Sequence, residues 1–292
     1  RAELMVMCVC EAGKTIPDAV AEVREAVDFC RYYALQARLK LGREELKGPT
    51  GERNELFHEG RGVFVCISPW NFPLAIPAWK IAPALVCGNT IVYKPASATP
   101  LSAVKLVEIF EEAGLPAGVL NLVTGPGASV GNTLVEDERV GGISFTGSTE
   151  IGTSITARGS ELLKKVQCEM GGKNAAIILN DADLDKAVPG VVQGAFGSTG
   201  QRCTATSRAI VEDGIYNEFM DALLAQTEAL TVGDGMDSSK DVAPLASRNQ
   251  LDTVLEYIGI GTEEGARLTF GGHQLRGDEF DEGYYVEPTI FT

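Results

Sequence analysis

Histidine is scarce in this sequence: His58 and His273 are the only two in 292 residues. Cys8 and Cys10 lie close together but have no second cysteine pair to match them. The ligand spacings of a zinc site are therefore missing, and no metal centre is expected. Long apolar runs are also missing. The longest, Ile81 to Tyr93, is broken by Pro83, Gly88 and Asn89 and is too short for a bilayer, so no membrane partner is expected. Basic residues number 25 against 40 acidic ones, a formal net charge of −15, with no Arg/Lys run. Such a chain repels phosphate backbones and anionic headgroups, which argues against nucleic acid as a partner. The seven cysteines are odd in number and irregular in spacing. No signal peptide precedes them, so no disulfide framework is expected and a reducing, cytoplasmic setting is the reading. An initiator Met is missing too, and Arg1 to Cys10 already reads as an uncapped helix. The sequence is expected to be a piece of a longer protein.

Glycine is abundant, at 33 residues, and gathers in short motifs rather than in low-complexity tracts. This is the pattern of loops whose backbone must approach something closely. Ile16 to Lys40 reads as a long amphipathic helix, with Pro17 in its first turn and Val20, Val23, Val27, Cys30 and Ala34 at helical spacing. A polar stretch with turn signals at Gly48, Pro49 and Gly51 fills 42–61. Strands are expected at 63–67, 89–96, 119–124 and around 142–147. Helices are expected at 74–88 and 100–112 and after each Gly-containing turn. The alternation continues with strands at 173–179 and 207–213 and helices at 183–196 and 215–230. Strands alternating with helices predict parallel βαβ units, an α/β fold with a doubly wound sheet. The motifs PWNFP, KPAS, GPGASVG and GSTEIG all follow strands. On such sheets the carboxyl ends of strands bind ligands.

Several residues could carry chemistry. Cys203, in STGQRCTATSR, sits on a loop where backbone N–H groups could favour a nucleophilic thiolate. A free cysteine taken alone is more often a buried structural one. Glu169, in CEMGGKN, could be a general base, though isolated acids are commonly caps or solvated. Asn71, in PWNFP, could donate to a developing oxyanion, or simply cap a turn. GPGASVG (125–131) and GSTEIG (147–152) each open a helix after a strand, a setting that favours phosphate. Neither has the spacing of the usual dinucleotide fingerprint. Lys94 could reach a ribose or phosphate, or be a plain surface lysine.

Together PWNFP, YKPA, FTGSTEIG, EMGGKN and GQRC resemble, in order and spacing, the aldehyde dehydrogenase superfamily, over essentially the whole chain. The resemblance implies a Rossmann-like cofactor domain at 1–170, with a protruding oligomerisation segment near 42–61. It implies a second α/β catalytic domain at 171–292, incomplete at its C-terminus. It implies an enzyme oxidising an aldehyde with NADP or NAD, a homo-oligomer (dimer or tetramer) when full-length. Cys203 would be the nucleophile and Glu169 the base that activates water. Asn71 and the Cys203 backbone N–H would form the oxyanion hole. Trp70, Lys94 and Gly147, Ser148, Thr149, Glu150, Ile151 and Gly152 would line the cofactor, with Gly127 and Gly131 on its adenosine side. NAD-preferring members often carry Glu three residues after the lysine. Here that position is Ser97, which predicts acceptance of NADP. GQRCTATSR and KPASATP resemble the branch that oxidises 2-oxoglutarate semialdehyde (2,5-dioxopentanoate). Glu169 speaks against a CoA-acylating relative, and Cys203, Glu169 and Asn71 together speak against a non-catalytic one.

Overall fold

A computed structural model describes residues 1–292. The chain opens with helices α1 (Ala2–Ala12) and α2 (Ile16–Lys40), then a two-stranded antiparallel hairpin, β1 (Glu44–Leu46) and β2 (Asn54–Leu56). There follow β3 (Val63–Ile67), α3 (Ala75–Val86), β4 (Thr90–Lys94), α4 (Pro100–Glu112), β5 (Leu120–Leu122), α5 (Asn132–Glu136), β6 (Val140–Gly147), α6 (Thr149–Glu161) and β7 (Lys165–Met170). Then come β8 (Asn174–Ile178), α7 (Leu184–Phe196), β9 (Thr206–Val211), α8 (Tyr216–Glu228), α9 (Arg248–Glu263), β10 (Leu268–Phe270) and β11 (Ile290–Phe291). No helix is long and apolar enough to cross a membrane.

The chain divides into two compact units: residues 21–170, and residues 1–20 together with 171–292. Residues 1–20, expected in a first domain spanning 1–170, group with 171–292 instead. Gly13 shows why they go elsewhere. It ends α1 in the left-handed region, at φ 64°, where its N–H caps Val9 O. A Cβ there would strike Pro244 O. The turn therefore nests against the segment around Pro244, and only glycine fits both demands.

The unit 21–170 is built on a five-stranded parallel sheet of order β5-β4-β3-β6-β7. The chain runs outward from β3 to β5 on one side and from β6 to β7 on the other, so strand order reverses between β3 and β6. That switch point is where open α/β sheets hold ligands, beyond the carboxyl ends of the strands. Alternation assigns the faces. Val65, Ile143 and Phe145 form one core with Val135 of α5 and Ile155 of α6. The opposite face, with Cys66 and Ser144, meets α3, whose Lys80 Nζ donates to Ser144 Oγ at 3.2 Å. Gly152 lets α6 lie close: a Cβ there would come within 2.6 Å of Met170 Sδ.

In the other unit, β8 and β9 pair in parallel. Their covered face packs Ile178 against Val188, Val191 and Val192 of α7 and Phe219 and Leu223 of α8.

Candidate active site

In the unit 21–170, the motifs singled out from sequence gather at one edge of the sheet. Register explains how. Thr146 of β6 pairs with Glu169 of β7, and Ile67 of β3 with Lys94 of β4. Each strand therefore ends at the same level. Ser68–Leu74 leaves β3 there, Pro95–Ser97 leaves β4, and Gly147–Ser148 leaves β6. Glu169 lies two residues beyond Gln167, the partner of Ser144, so it shares the face that α3 covers.

Asn71 stands in the loop before α3, bracketed by Pro69 and Pro73, half-buried and with Oδ1 shielded from solvent. Trp70 beside it is half-buried. The loop is fastened at its start, where Ser68 N donates to Lys94 O at 3.2 Å and Ser68 Oγ lies 3.1 Å from Tyr93 Oη. Lys94 is buried rather than on the surface, its Nζ donating to Pro95 O at 3.0 Å, and burial lowers its pKa. Ser97, three residues on, is exposed. Glu169 is exposed as well.

Ser148 is the N-cap of α6, accepting from Ile151 N at 3.4 Å. Ser148, Thr149, Glu150 and Ile151 are exposed, and Gly152 is buried. GPGASVG folds into a single π-helical turn, Gly127–Gly131, leading into α5. A Cβ on Gly127 or Gly131 would meet nothing within 4 Å, so the turn leaves open room on that side.

Three features were not read from the sequence. Thr146 Oγ1 is buried at the carboxyl end of β6 and has no hydrogen-bond partner in the chain. Lys80 is 4% exposed, its pKa lowered to about 8 by burial, while Cys66 and Glu169 pull it back up. Glu22 of α2 is buried and bonded to the start of α3. The legible signal for Lys80 was its place on a helix face that is otherwise apolar, beside Ile76, Pro77 and Ile81.

The other unit carries Cys203. It is exposed, as are Cys10 and Cys87, whereas Cys8 and Cys66 are buried, and burial lifts the Cys66 thiol to about 12. The approach to Cys203 is unusual. Ser198 (φ 51°), Thr199 (φ 57°) and Gly200 (φ 68°) are consecutively left-handed. For the two non-glycine residues this costs about 1–2 kcal/mol each. Neighbours hold the turn. Thr199 Oγ1 donates to Ala243 O at 2.8 Å, and Gln201 Oε1 accepts from Ala246 N at 3.1 Å. Arg202 donates to Ser198 Oγ at 3.0 Å and pairs with Asp18 at 2.8 Å. Asn174 Nδ2 fixes the far side, donating to Cys203 O at 2.7 Å and Ala205 O at 3.2 Å. Strain of this kind gathers where a side chain must be aimed.

Comparison with known proteins places the chain in a family. The family model described as "Aldehyde dehydrogenase family" matches residues 1–292. The alpha-ketoglutaric semialdehyde dehydrogenase of Bacillus subtilis (strain 168) is 48% identical, over 99% of this chain and 59% of its own length. The alpha-ketoglutarate semialdehyde dehydrogenase of Haloferax volcanii is 43% identical, over 99% of this chain and 60% of its own. A 3,6-anhydro-L-galactose dehydrogenase solved in complex with NADP superposes with a TM-score of 0.94 at 40% identity, covering 99% of this chain and 61% of that one. The chain thus spans about three fifths of the length of these relatives. A switch-point edge ringed by PWNFP, YKPA, FTGSTEIG and EMGGKN, an exposed cysteine after a strained turn, and a family match from end to end make one conclusion: the chain belongs to the aldehyde dehydrogenase family.

Proposed function

We propose that the protein to which this chain belongs oxidises an aldehyde to a carboxylate with NAD(P)+, and that 2-oxoglutarate semialdehyde is its substrate. One observation carries the reading. The unit 21–170 gathers an amide, a carboxylate and a helix N-terminus at the switch point of a parallel sheet, and the cysteine matching the family nucleophile is exposed and follows a strained turn at 198–200.

The edge suits a dinucleotide. The orphaned Thr146 hydroxyl is a buried polar atom that a bound group would satisfy. The start of α6 behind Gly147 and Ser148 offers N–H groups and positive dipole to a pyrophosphate. Lys94 and Ser97 would meet the adenosine ribose, with Trp70, Thr149, Glu150, Ile151 and Gly152 lining the cleft, and Gly127 and Gly131 leaving room for the adenosine. NAD(P)+, when bound, supplies the hydride acceptor that turns a thiohemiacetal into a thioester.

The chain's own residues do the rest. The Cys203 thiolate adds to the aldehyde carbon, forming the C–S bond and an alkoxide. The Asn71 side chain and the Cys203 N–H hold that oxygen, at roughly 3–4 kcal/mol per donor in such sites. Glu169 then takes a proton from water, whose oxygen attacks the thioester. The C–S bond breaks, the carboxylate leaves and the thiolate returns. Ser97 favours NADP, since its hydroxyl can donate to a 2′-phosphate where a carboxylate would repel it.

The seven free thiols suit a cytoplasmic setting. Exposed Leu46, Leu56 and Phe57 around the β1–β2 hairpin suit a homo-oligomer, dimer or tetramer. The test is an aldehyde panel with the full-length enzyme, NAD and NADP in parallel. The highest kcat/KM is expected for 2-oxoglutarate semialdehyde with NADP. A clear preference for another aldehyde overturns the substrate, and turnover that requires CoA overturns the hydrolytic mechanism.

A further inference from the structure

A helix start leaves several N–H groups without partners inside the helix. In α3 the N-cap is Leu74, which has no side chain to accept one. Pro77 in the first turn has no N–H to give. Ala78 N already donates to Leu74 O at 3.0 Å. The donors that remain are the N–H groups of Leu74, Ala75 and Ile76, all three on buried residues. A single group from another helix takes two of them. Glu22 Oε1 accepts from Leu74 N at 2.8 Å and from Ala75 N at 3.3 Å. Glu22 is 1% exposed, a carboxylate spent on a helix N-terminus where the dipole favours its charge.

The consequence falls on Asn71. Its loop is held at Ser68 by the backbone of Lys94 and the hydroxyl of Tyr93. At Leu74 it is held by Glu22. Asn71 lies midway between these anchors. We infer that Glu22 is a positioning residue for the oxyanion-binding amide of Asn71, an inference that rests on the Asn71 role proposed above. Removing the carboxylate frees the Leu74 end of the loop and lets the amide drift. A drift on the order of 1 Å at such a donor is enough to slow chemistry by about 100-fold.

A double-mutant cycle on the full-length enzyme tests this, reading the pre-steady-state rate of NAD(P)H formation. Glu22→Ala is expected to slow that rate about 10–100-fold with cofactor Kd nearly unchanged. In an Asn71→Ala background the same substitution is expected to change it less than about 3-fold, because the amide it positions is gone. Glu22→Gln keeps an acceptor oxygen for both N–H groups and is expected to stay within about 3-fold of wild type. Should Glu22→Ala fail to fold, Glu22→Asp, one methylene shorter, goes through the same cycle. Equal losses in both backgrounds overturn the inference and make Glu22 a support of the fold alone. A normal rate in Glu22→Ala overturns it too. A normal rate in Asn71→Ala by itself overturns the Asn71 role, and with it this inference. The single and double variants thus separate the two failures.

Discussion

At the scale of single residues, three side chains lead to measurements that do not depend on one another. Cys203→Ala in the full-length enzyme is expected to abolish aldehyde oxidation while cofactor binding, followed by nucleotide fluorescence, persists; substantial residual turnover would move the nucleophile to another thiol. Glu169→Gln is expected to keep the burst of NAD(P)H and slow the steady rate, since in the proposed mechanism only thioester hydrolysis needs the base. A lost burst would place Glu169 at an earlier step. Lys80 gives a prediction about stability. Its pKa is lowered from 10.5 to about 8 by burial, so within that window the unfolded chain holds a proton that the native state has released. Stability therefore rises as pH climbs from about 8 towards 10.5, and below about 8 folding carries the cost of a buried ammonium. The shift corresponds to on the order of 3 kcal/mol. Lys80→Met forfeits the bond to Ser144 but removes that cost, and is expected to stabilise the protein at pH 7 by about 1–2 kcal/mol and flatten its alkaline rise. Urea midpoints at pH 7 and pH 10 check both statements. An unchanged alkaline rise in the variant would assign it to another group.

At the scale of elements, the contact of α6 with the sheet is the sensitive one. Gly152 faces Met170 Sδ and the Phe145 ring with no room for a side chain. Gly152→Val is expected to lift α6 and cost about 1–3 kcal/mol of stability. It is also expected to weaken cofactor binding, because the N-terminus of the same helix moves; melting temperature and cofactor Kd are the two readings. Elements are also where the sequence was most and least readable. The helices Ile16–Lys40 and Pro100–Glu112 and the strand Val63–Ile67 appear with the bounds expected from their periodicity and Pro/Gly punctuation. The exposed hairpin of β1 and β2 was hidden in a polar stretch, because strands with no buried face have no alternation to show. Helix α9 buries only Leu251, and β10 and β11 are short, so the region after Leu230 carried too little pattern to read. Asn71, Lys94, Ser148 and Glu169, singled out through motifs, lie at the edge of the sheet. Thr146 and Glu22 were not singled out, because what sets them apart is a missing partner in one case and a distant one in the other. Both are properties of three-dimensional packing.

At the scale of the whole molecule, charge and topology act. The net charge of −15 on these 292 residues opposes the approach of any anionic cofactor, and NADP more than NAD. Salt screens that repulsion, with a Debye length of about 30 Å at 0.01 M falling to about 8 Å at 0.15 M. Between those ionic strengths kcat/KM for NADP is expected to rise more than that for NAD. A ratio that does not change with salt would mean that local donors alone govern recognition. The local contribution is read separately: Ser97→Glu is expected to cost NADP on the order of 1–3 kcal/mol in kcat/KM while NAD loses little. The central position of β3 has a different consequence, one of timing. Its two neighbours in the sheet are β4, which starts at Thr90, and β6, which starts only at Val140. At roughly 5–20 residues per second on the ribosome, Val63–Ile67 waits on the order of ten seconds after it is made before its second partner exists. During that interval the nascent chain carries a half-built sheet with the future middle of its core as an open edge, the kind of surface that other unfinished chains and chaperones compete to cover.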